Sequence, residues 1–382
     1  MMNKKTIIKS FVALLLISFS MVATALAPVP SPPKLAAKSF LLVDFNSGIV
    51  LAEKNIDKKV EPASITKLMT AYVVYKEIES GRLSLDEEVT VSKKAWQKGG
   101  SKMFIEVGKK ISVENLLKGM IIQSGNDATI ALAEHIAGSE STFADYMNQY
   151  AQGLGMKDTN FVNATGWPNK KHVTTARDLA TLAAAMIREF PERYKWYKEK
   201  EFTYNGIRQY NRNKLLWRDK SVDGIKTGHT ESAGYCLVSS AKREDMRLIS
   251  VVLGTKSEKS RSDVSQSLLS YGFRFYESSK LYSAGKSLNS ARVWQGAAES
   301  LNLGLSEDLF ITIPRGQYKY LDAVMDVNTD IEAPIIKGQQ LGLVTVKLDG
   351  KVLSSQPLVA LHAVEKGSFI QRTKDQIIRL FQ

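Results

Sequence analysis

The spacing of apolar positions changes along the chain, and each spacing predicts a different secondary structure. Alternating or β-branched residues predict strands at 39–44, 48–52, 222–227, 235–240 and 247–253. Apolar residues at helical spacing predict helices at 64–80, 113–122, 127–136, 141–154, 175–187 and 263–275. This order predicts an α+β domain, in which strands from both ends of the segment form one antiparallel sheet and a cluster of helices lies between them in the chain.

The pattern changes again after residue 282, where few helical stretches remain. Short strand candidates follow at 291–295, 309–313, 318–326, 340–348 and 356–363, which predicts a small β-sandwich or barrel. In the last segment Ile370, Thr373, Ile377 and Phe381 recur at helical spacing, with basic residues on the remaining face. A basic amphipathic helix of this kind is typical of a membrane surface, and the alternative is a helix docked on the β domain.

The first 27 residues resemble a targeting segment. Lys4, Lys5 and Lys9 precede an apolar run at 11–22, and small residues follow it. The run is short for a membrane span of ~20 residues, so a cleaved signal peptide is favoured over an anchor helix. The expected domains are a signal peptide at 1–27, a flexible leader at 28–37, a catalytic domain at 38–284, a β domain at 285–364 and an amphipathic helix at 365–382.

Composition and charge narrow the function. The chain has 382 residues, of which 44% are hydrophobic, and a net charge of +13. Its one cysteine, Cys236, excludes an intrachain disulfide and lies in an apolar strand-like run, where it is expected to be buried. An exported basic protein is expected to meet anionic lipid surfaces or cell-wall polymers rather than nucleic acid.

Three short motifs carry candidate chemistry. They are Ser64-x-x-Lys67, Ser124-x-Asn126 and Lys226-Thr227-Gly228. Ser-x-x-Lys also begins at residues 31, 239 and 283, but only the copy at residue 64 begins a predicted helix and precedes the other two motifs. These motifs therefore predict one site that a single domain brings together.

The residue types in the motifs suit acyl transfer. Lys67, three residues after Ser64 on a helix, lies on the same face and can take the serine proton if burial or a nearby cation such as Lys226 lowers its pKa. Ser124 is expected to pass the proton to the leaving amine, and Asn126 to hold Lys67 and the substrate amide.

The third motif is expected to bind the substrate. The Lys226 ammonium and the Thr227 hydroxyl suit a terminal carboxylate, and Gly228 allows the substrate backbone to approach closely. The N–H groups of Ser64 and His229 are candidate oxyanion donors.

Four stretches resemble the low-molecular-mass penicillin-binding proteins, and within them the serine D-alanyl-D-alanine carboxypeptidases of the type-5 group. They are PASITK at 62–67, NRNKLLW at 211–217, DGIKTGHT at 223–230 and YGFRF at 271–275. The resemblance implies a penicillin-binding/β-lactamase-like catalytic domain that removes the terminal D-alanine of peptidoglycan pentapeptides through a Ser64 acyl-enzyme, which penicillins trap. It also implies that His229 lines the site and that Arg261 helps to hold the substrate carboxylate, with Arg212 as a weaker candidate.

The same sequence features predict the localisation, substrates and inhibitors of the protein. The protein is expected to be periplasmic and attached to the outer face of the cytoplasmic membrane, with peptidoglycan stems as substrates and β-lactams as inhibitors. His135, His172 and His362 show no metal-site spacing, and no metal or cofactor is expected.

Other functions remain open at this point. A β-lactamase needs a glutamate base after the second motif, and the only Glu-x-x-x-Asn between Asn126 and Lys226 begins at Glu201, in a strand-like stretch. Transpeptidase or endopeptidase activity would use the same acylation chemistry. A non-catalytic wall-binding protein is the further alternative, although all motif residues are present.

Overall fold

The computed structural model describes residues 29–380. The predicted signal peptide at 1–27 and the last apolar residue of the amphipathic stripe, Phe381, lie outside the described residues.

The first part of the fold alternates short strands with helices. Its strands are β1 (Ser39–Asp44), β2 (Val50–Lys54), β3 (Glu88–Thr90), β4 (Lys110–Ser112), β5 (Glu201–Tyr204), β6 (Ile207–Tyr210), β7 (Val222–Thr230), β8 (Gly234–Arg243) and β9 (Met246–Thr255). Its α-helices are α1 (Lys67–Glu79), α2 (Lys93–Gln97), α3 (Val113–Lys118), α4 (Asn126–Ala137), α5 (Glu140–Gly153), α6 (Ala176–Glu189), α7 (Pro191–Tyr194), α8 (Leu215–Arg218) and α9 (Glu258–Phe275). Short 3₁₀ turns occupy Ala63–Thr66 and Lys195–Lys198, and a π-helical turn occupies Gly119–Gln123.

Five of these strands form one antiparallel sheet in the order β2-β1-β9-β8-β7. Pairing of β1 with β9 joins the two ends of the segment, which confirms the predicted α+β arrangement. Strand β7, which carries the Lys-Thr-Gly motif, is an edge of this sheet and has a free side for a ligand.

Helices cover both faces of the sheet. Successive side chains of each strand point to opposite faces, so apolar residues on both faces pack against helices. Leu42 and Leu248 lie against Gly272 of α9, where a Cβ would come within 3.0 Å of both side chains. Their neighbours Leu41 and Ile249 belong instead to the large core shared with α1 and α6. Helix α1 is buried from Lys67 to Tyr75, so the second half of the first motif is inside this core.

Helix α9 begins five residues earlier than the sequence predicts. The Ser257 hydroxyl accepts a hydrogen bond from the Ser260 N–H at 3.0 Å, and Glu258 lies in the first turn, where its charge favours the positive helix end. The expected start at residue 263 was therefore wrong. The longer helix includes Arg261 and fixes its side chain relative to β7 and β8.

The second part of the fold is all β. Its strands are β10 (Tyr276–Tyr282), β11 (Asn289–Arg292), β12 (Ser300–Gly304), β13 (Leu309–Pro314), β14 (Leu321–Val327), β15 (Gln340–Leu348) and β16 (Lys351–Ala360), with a 3₁₀ turn at Tyr318–Tyr320. A five-stranded sheet, β11-β12-β16-β15-β14, and the pair β10-β13 contribute to one apolar core. The predicted small β domain is confirmed, although β10 and β12 were missed.

The chain then forms α10 (Phe369–Arg379), which begins with a capping box at Ser368. Its polar side packs on the β domain: Asp375 accepts a hydrogen bond from the Gln295 N–H at 2.6 Å, and Arg379 lies 4.9 Å from the ring centre of Trp294. Large apolar side chains point outward, namely Phe369, Ile370, Ile377 and Leu380. No helix within residues 29–380 combines the length and hydropathy that crossing a membrane would require.

A polar cluster joins the β1–β2 turn to the β domain. Asp44 is fully buried, and its Oδ1 accepts hydrogen bonds from the Asn46 N–H at 3.1 Å and from the N–H and hydroxyl of Ser47 at 2.8 and 2.9 Å. The Ser47 hydroxyl lies 2.6 Å from that of Thr312 on β13, and the Ser278 hydroxyl on β10 lies 3.4 Å from Asp44. One carboxylate thus orders the turn and the contact between the two parts.

Replacing Asp44 by alanine should lower the free energy of unfolding by about 2 kcal/mol, because several partly buried donors lose their acceptor. Urea denaturation of the purified protein measures this loss. Asp57→Ala is the matched control, since it removes an exposed aspartate paired with Arg177 and should change stability little. Equal stability of the two variants would contradict this role of Asp44.

Candidate active site

The serine of the first motif lies in a turn that two glycines enclose. Ser64 is in the 3₁₀ turn before α1. A Cβ at Gly228 on β7 would lie 2.9 Å from the Pro62 carbonyl, and one at Gly166 would lie 1.8 Å from the Ala63 carbonyl. Only glycine fits at these two points, so both β7 and the loop before residue 167 press directly on the Ser64 turn.

A buried histidine braces the same turn. The Thr66 hydroxyl donates to the Ala63 carbonyl at 2.8 Å and accepts from His172 Nε2 at 2.7 Å, while His172 Nδ1 accepts from the Val162 N–H at 3.1 Å. Burial lowers the pKa of His172 to about 4, which keeps the imidazole neutral near neutral pH. No role was expected for His172 from its position in the sequence, and in the structure it supports the Ser64 turn.

Lys67 is the buried centre of the site. Its Nζ donates to Ser64 Oγ at 3.1 Å, to Asn126 Oδ1 at 2.7 Å and to the Thr165 carbonyl at 2.8 Å. Burial, with smaller effects from the charges of Arg212 and Lys98, lowers the pKa of Lys67 to about 7. A large fraction of this amine is therefore neutral near neutral pH and can accept the serine proton.

The second serine contacts the other buried lysine. Ser124 follows the π-helical turn and adopts a left-handed backbone with φ of 68°. Its hydroxyl accepts a hydrogen bond from Lys226 Nζ at 2.9 Å, and the same ammonium donates to the Thr227 carbonyl at 3.2 Å. Burial, the Lys67 charge and the nearby arginines lower the pKa of Lys226 well below its ordinary value. Lys226 contacts Ser124 directly and does not line the open cavity.

Asn126 connects the lysine to a loop at 99–101. Its N–H donates to the Ser101 carbonyl and its Nδ2 to the Gly99 carbonyl, both at 2.7 Å. The next residue, Asp127, accepts hydrogen bonds from the N–H groups of Met103 and Phe104 at 2.8 and 2.9 Å. The second motif thus holds the wall of the site that faces β7.

These elements enclose a cavity of about 310 Å³. It is lined by Ser64, Ser101, Ser124, Arg212, Thr227, Gly228, His229, Tyr235, Glu258 and Arg261. Of the residues named from the sequence, Lys67, Asn126 and Lys226 lie beneath this lining and the others form it. All of them are brought to one place.

Arg261 enters the cavity from α9. Its NH2 pairs with Glu258 at 2.9 Å, its NH1 donates to the Gly228 carbonyl at 3.4 Å, and its guanidinium lies 5.6 Å from the ring centre of Tyr235. The His229 ring stacks on Tyr235 at 3.9 Å. These contacts fix a largely buried cation at the end of the cavity, where an anionic group can bind.

Residue types and their spacing do not indicate some of these contacts. Thr165 acts through its backbone carbonyl, which any residue provides. Glu258 could have been found, because Glu-x-x-Arg on a helix places the two side chains together. Glu201, the candidate lactamase base, pairs with Arg208 on the β5–β6 hairpin and does not line the cavity.

Comparisons with known proteins find a matching family model for each of the two parts of the chain. A family model described as D-alanyl-D-alanine carboxypeptidase matches residues 27–257, and one described as penicillin-binding protein 5, C-terminal domain, matches residues 276–366. D-alanyl-D-alanine carboxypeptidase DacA of Escherichia coli is 43% identical over 92% of this chain and 90% of its own length.

Solved structures of penicillin-binding proteins are also similar to this chain. Penicillin-binding protein 5 of Haemophilus influenzae superposes with a TM-score of 0.85 at 43% identity, over 88% of this chain and all of that one. The ampicillin-bound form of penicillin-binding protein D2 of Listeria monocytogenes has a TM-score of 0.59 at 32% identity, over 63% of this chain and all of that one.

The lowered pKa of Lys67 predicts the pH dependence of Ser64 acylation. Only the neutral amine accepts a proton, so the rate of acylation by a fluorescent penicillin should rise with pH up to about 7 and then level off. Arg212→Met should move this rise to higher pH, since it removes a cation that disfavours the charged amine. A rate that stays constant between about pH 5.5 and 8 would contradict Lys67 as the base.

Proposed function

Because the chain belongs to the D-alanyl-D-alanine carboxypeptidase family, we propose that it removes the terminal D-alanine from peptidoglycan stem peptides as a serine-type enzyme. The observation that carries this proposal is the contact of 3.1 Å between Lys67 Nζ and Ser64 Oγ, made by a buried amine whose pKa is about 7. The contact supplies an activated nucleophile at the floor of a cavity that ends in a fixed cation.

Acylation follows from this geometry. Neutral Lys67 accepts the proton of Ser64 Oγ, and the oxygen attacks the carbonyl carbon between the two D-alanines. The bond from that carbon to the nitrogen of the last D-alanine breaks. The leaving nitrogen takes a proton from Ser124, whose hydroxyl accepts a hydrogen bond from Lys226 Nζ, and the proton held by Lys67 is passed on to replace it. Water then attacks the ester carbon while neutral Lys67 takes one of its protons. The bond from that carbon to Ser64 Oγ breaks, and the serine oxygen recovers its proton from Lys67.

The far end of the cavity explains why the substrate ends in a free carboxylate. The Thr227 hydroxyl and the Arg261 guanidinium line that end, and Lys226 Nζ, which donates to the Thr227 carbonyl, lies behind it. A terminal carboxylate places two oxygens among these groups, whereas a peptide that continues there brings no charge. This arrangement favours cleavage of the last residue.

The family also binds β-lactams. The cyclic amide of a penicillin reacts with the same serine, but its leaving nitrogen stays attached to the acyl group. Of the alternatives, β-lactamase activity is not supported by Glu201, the base expected for it, because this residue pairs with Arg208 on an exposed hairpin and does not line the cavity. Transpeptidase and endopeptidase activities use the same acyl-enzyme and differ in the acyl acceptor or in the position of the bond.

The cellular setting is part of the proposal. The basic apolar segment at 1–27 supports export, and the outward apolar side of α10 supports attachment to the outer face of the cytoplasmic membrane. Ile370 is 79% exposed and Leu380 is 82% exposed, while the polar side of the helix is occupied by the β domain. An exposed apolar stripe on a docked helix suits a lipid surface.

Ser64→Ala should abolish both labelling by a fluorescent penicillin and release of D-alanine from a pentapeptide that ends in D-Ala-D-Ala. The reason is that no other residue of the described site provides a nucleophile next to Lys67. Gel fluorescence and a D-amino acid oxidase assay measure the two results. Ser101→Ala, which removes another hydroxyl that lines the cavity, is the control and should still be labelled. Labelling of Ser64→Ala equal to that of the wild type would refute the acyl-enzyme.

The double variant Ile370→Glu, Ile377→Glu should release the protein from vesicles that contain anionic lipid, because two charges enter the apolar side of α10. Sedimentation with vesicles measures this binding, and D-alanine release should remain unchanged. Val352→Glu, at an exposed apolar residue of β16, is the matched control. Equal sedimentation of the double variant and the wild type would rule out anchoring through α10.

A further inference from the structure

Lys98 is a cation beside the active site that has no acidic partner in the described part of the chain. Its Nζ lies 4.9 Å from the ring centre of Trp167, and this side chain forms no ion pair with a described carboxylate. Lys102, close by, differs because its Nζ donates to the Trp96 carbonyl at 2.6 Å. A cation held only by an aromatic ring is available to an anion that arrives with a ligand.

Trp167 is an exposed ring on a fixed backbone. Its side chain is 46% exposed. Its N–H donates to Asn163 Oδ1 at 3.0 Å, its carbonyl accepts from Asn163 Nδ2 at 3.0 Å, and Asn163 Oδ1 also accepts from the Gly166 N–H at 2.8 Å. The chain therefore fixes the position of an indole that is almost half exposed to solvent, which is the arrangement of a preformed binding platform.

Two glycines lie against this ring. A Cβ at Gly99 would lie 3.5 Å from Cη2 of Trp167, and one at Gly100 would lie 3.6 Å from Cζ3 and 2.7 Å from Asn126 Nδ2. Because Asn126 also donates to the Gly99 carbonyl, the indole, the 99–101 loop and the second motif form one wall. Ser101 of the same loop lines the cavity.

This wall and Arg261 contact different parts of the site. The loop that carries Trp167 bonds to Lys67 through the Thr165 carbonyl. Arg261 contacts β7, β8 and its own helix instead. The charge of Lys98 acts on Lys67, whereas that of Arg261 acts on Lys226. A substrate with its terminal carboxylate at Arg261 and its scissile carbonyl at Ser64 therefore extends its earlier residues towards Lys98.

We propose that Lys98 and Trp167 form a subsite for the side chain of the stem residue before the two D-alanines, and that this side chain is aliphatic and ends in a carboxylate. The inference rests on the proposed function. The aliphatic part packs on the open part of the indole, and the carboxylate pairs with the Lys98 ammonium.

In the described part of the chain, the two carboxylates near this wall already have partners and are not free for a terminal amine. The nearby carboxylate of Asp127 is bonded to the N–H groups of Met103 and Phe104. That of Glu140 accepts from the Ala164 N–H and pairs with Lys94. An amine at the end of the side chain would instead meet the charge of Lys98, so the subsite selects against it.

Three acylated peptides of the form X-D-Ala-D-Ala test the subsite, with L-2-aminoadipate, L-norleucine or L-lysine as X. Wild-type kcat/KM for D-alanine release should be about tenfold higher for aminoadipate than for norleucine, as a charge-assisted contact provides, and lowest for lysine. Lys98→Met should bring the aminoadipate-to-norleucine ratio close to one, and Lys98→Arg should largely restore it. Lys102→Met is the matched control and should keep the wild-type ratio.

The ratio is the informative quantity, because the Lys98 charge also lowers the pKa of Lys67. That effect changes all three peptides equally and cancels. Trp167→Ala should raise KM for both aminoadipate and norleucine several-fold. A wild-type ratio near one, or a high ratio retained in Lys98→Met, overturns the subsite while leaving the carboxypeptidase intact. Failure to release D-alanine from all three peptides would instead overturn the proposed function.

Discussion

The site depends on keeping one lysine amine away from water. Lys67 is buried, and burial disfavours its charged form more than any single neighbouring charge does. Its three acceptors are Ser64 in the turn before α1, Asn126 at the start of α4 and the Thr165 carbonyl in a loop between α5 and α6. The amine becomes a base only when these three segments meet around it, so the chemistry exists only in the folded state.

The same requirement explains the close packing around the first motif. Gly166 and Gly228 let two segments touch the Ser64 turn, and neutral His172 braces it from within. Such contacts leave little room for water and hold the serine oxygen at a fixed distance from its base. Preorganisation of this kind lowers the cost of reaching the transition state, because few groups need to move. It also makes the site sensitive to small changes of volume in the core.

The catalytic side chains were easier to predict from the sequence than the contacts made by backbone atoms. The period of apolar residues predicted the central sheet and most helices, and Ser64, Lys67 and Lys226 followed from motif spacing. The Thr165 carbonyl has no sequence signal, since every residue has one. The early start of α9 depends on a Ser257 cap, and the short β12 has too few alternating positions to stand out. The roles of individual site residues and the domain boundaries remain predictions.

Helix α10 has a mechanical consequence. Its polar side is clamped to the β domain through Asp375 and through Arg379, which lies against Trp294, so it cannot swing as a loose tether would. The buried cluster at Asp44 ties the β domain in turn to the catalytic sheet. Tilting the membrane surface proposed for this helix would therefore tilt the cavity with it. On that proposal the β domain is a spacer, which would set both the height and the direction of the catalytic opening above the membrane.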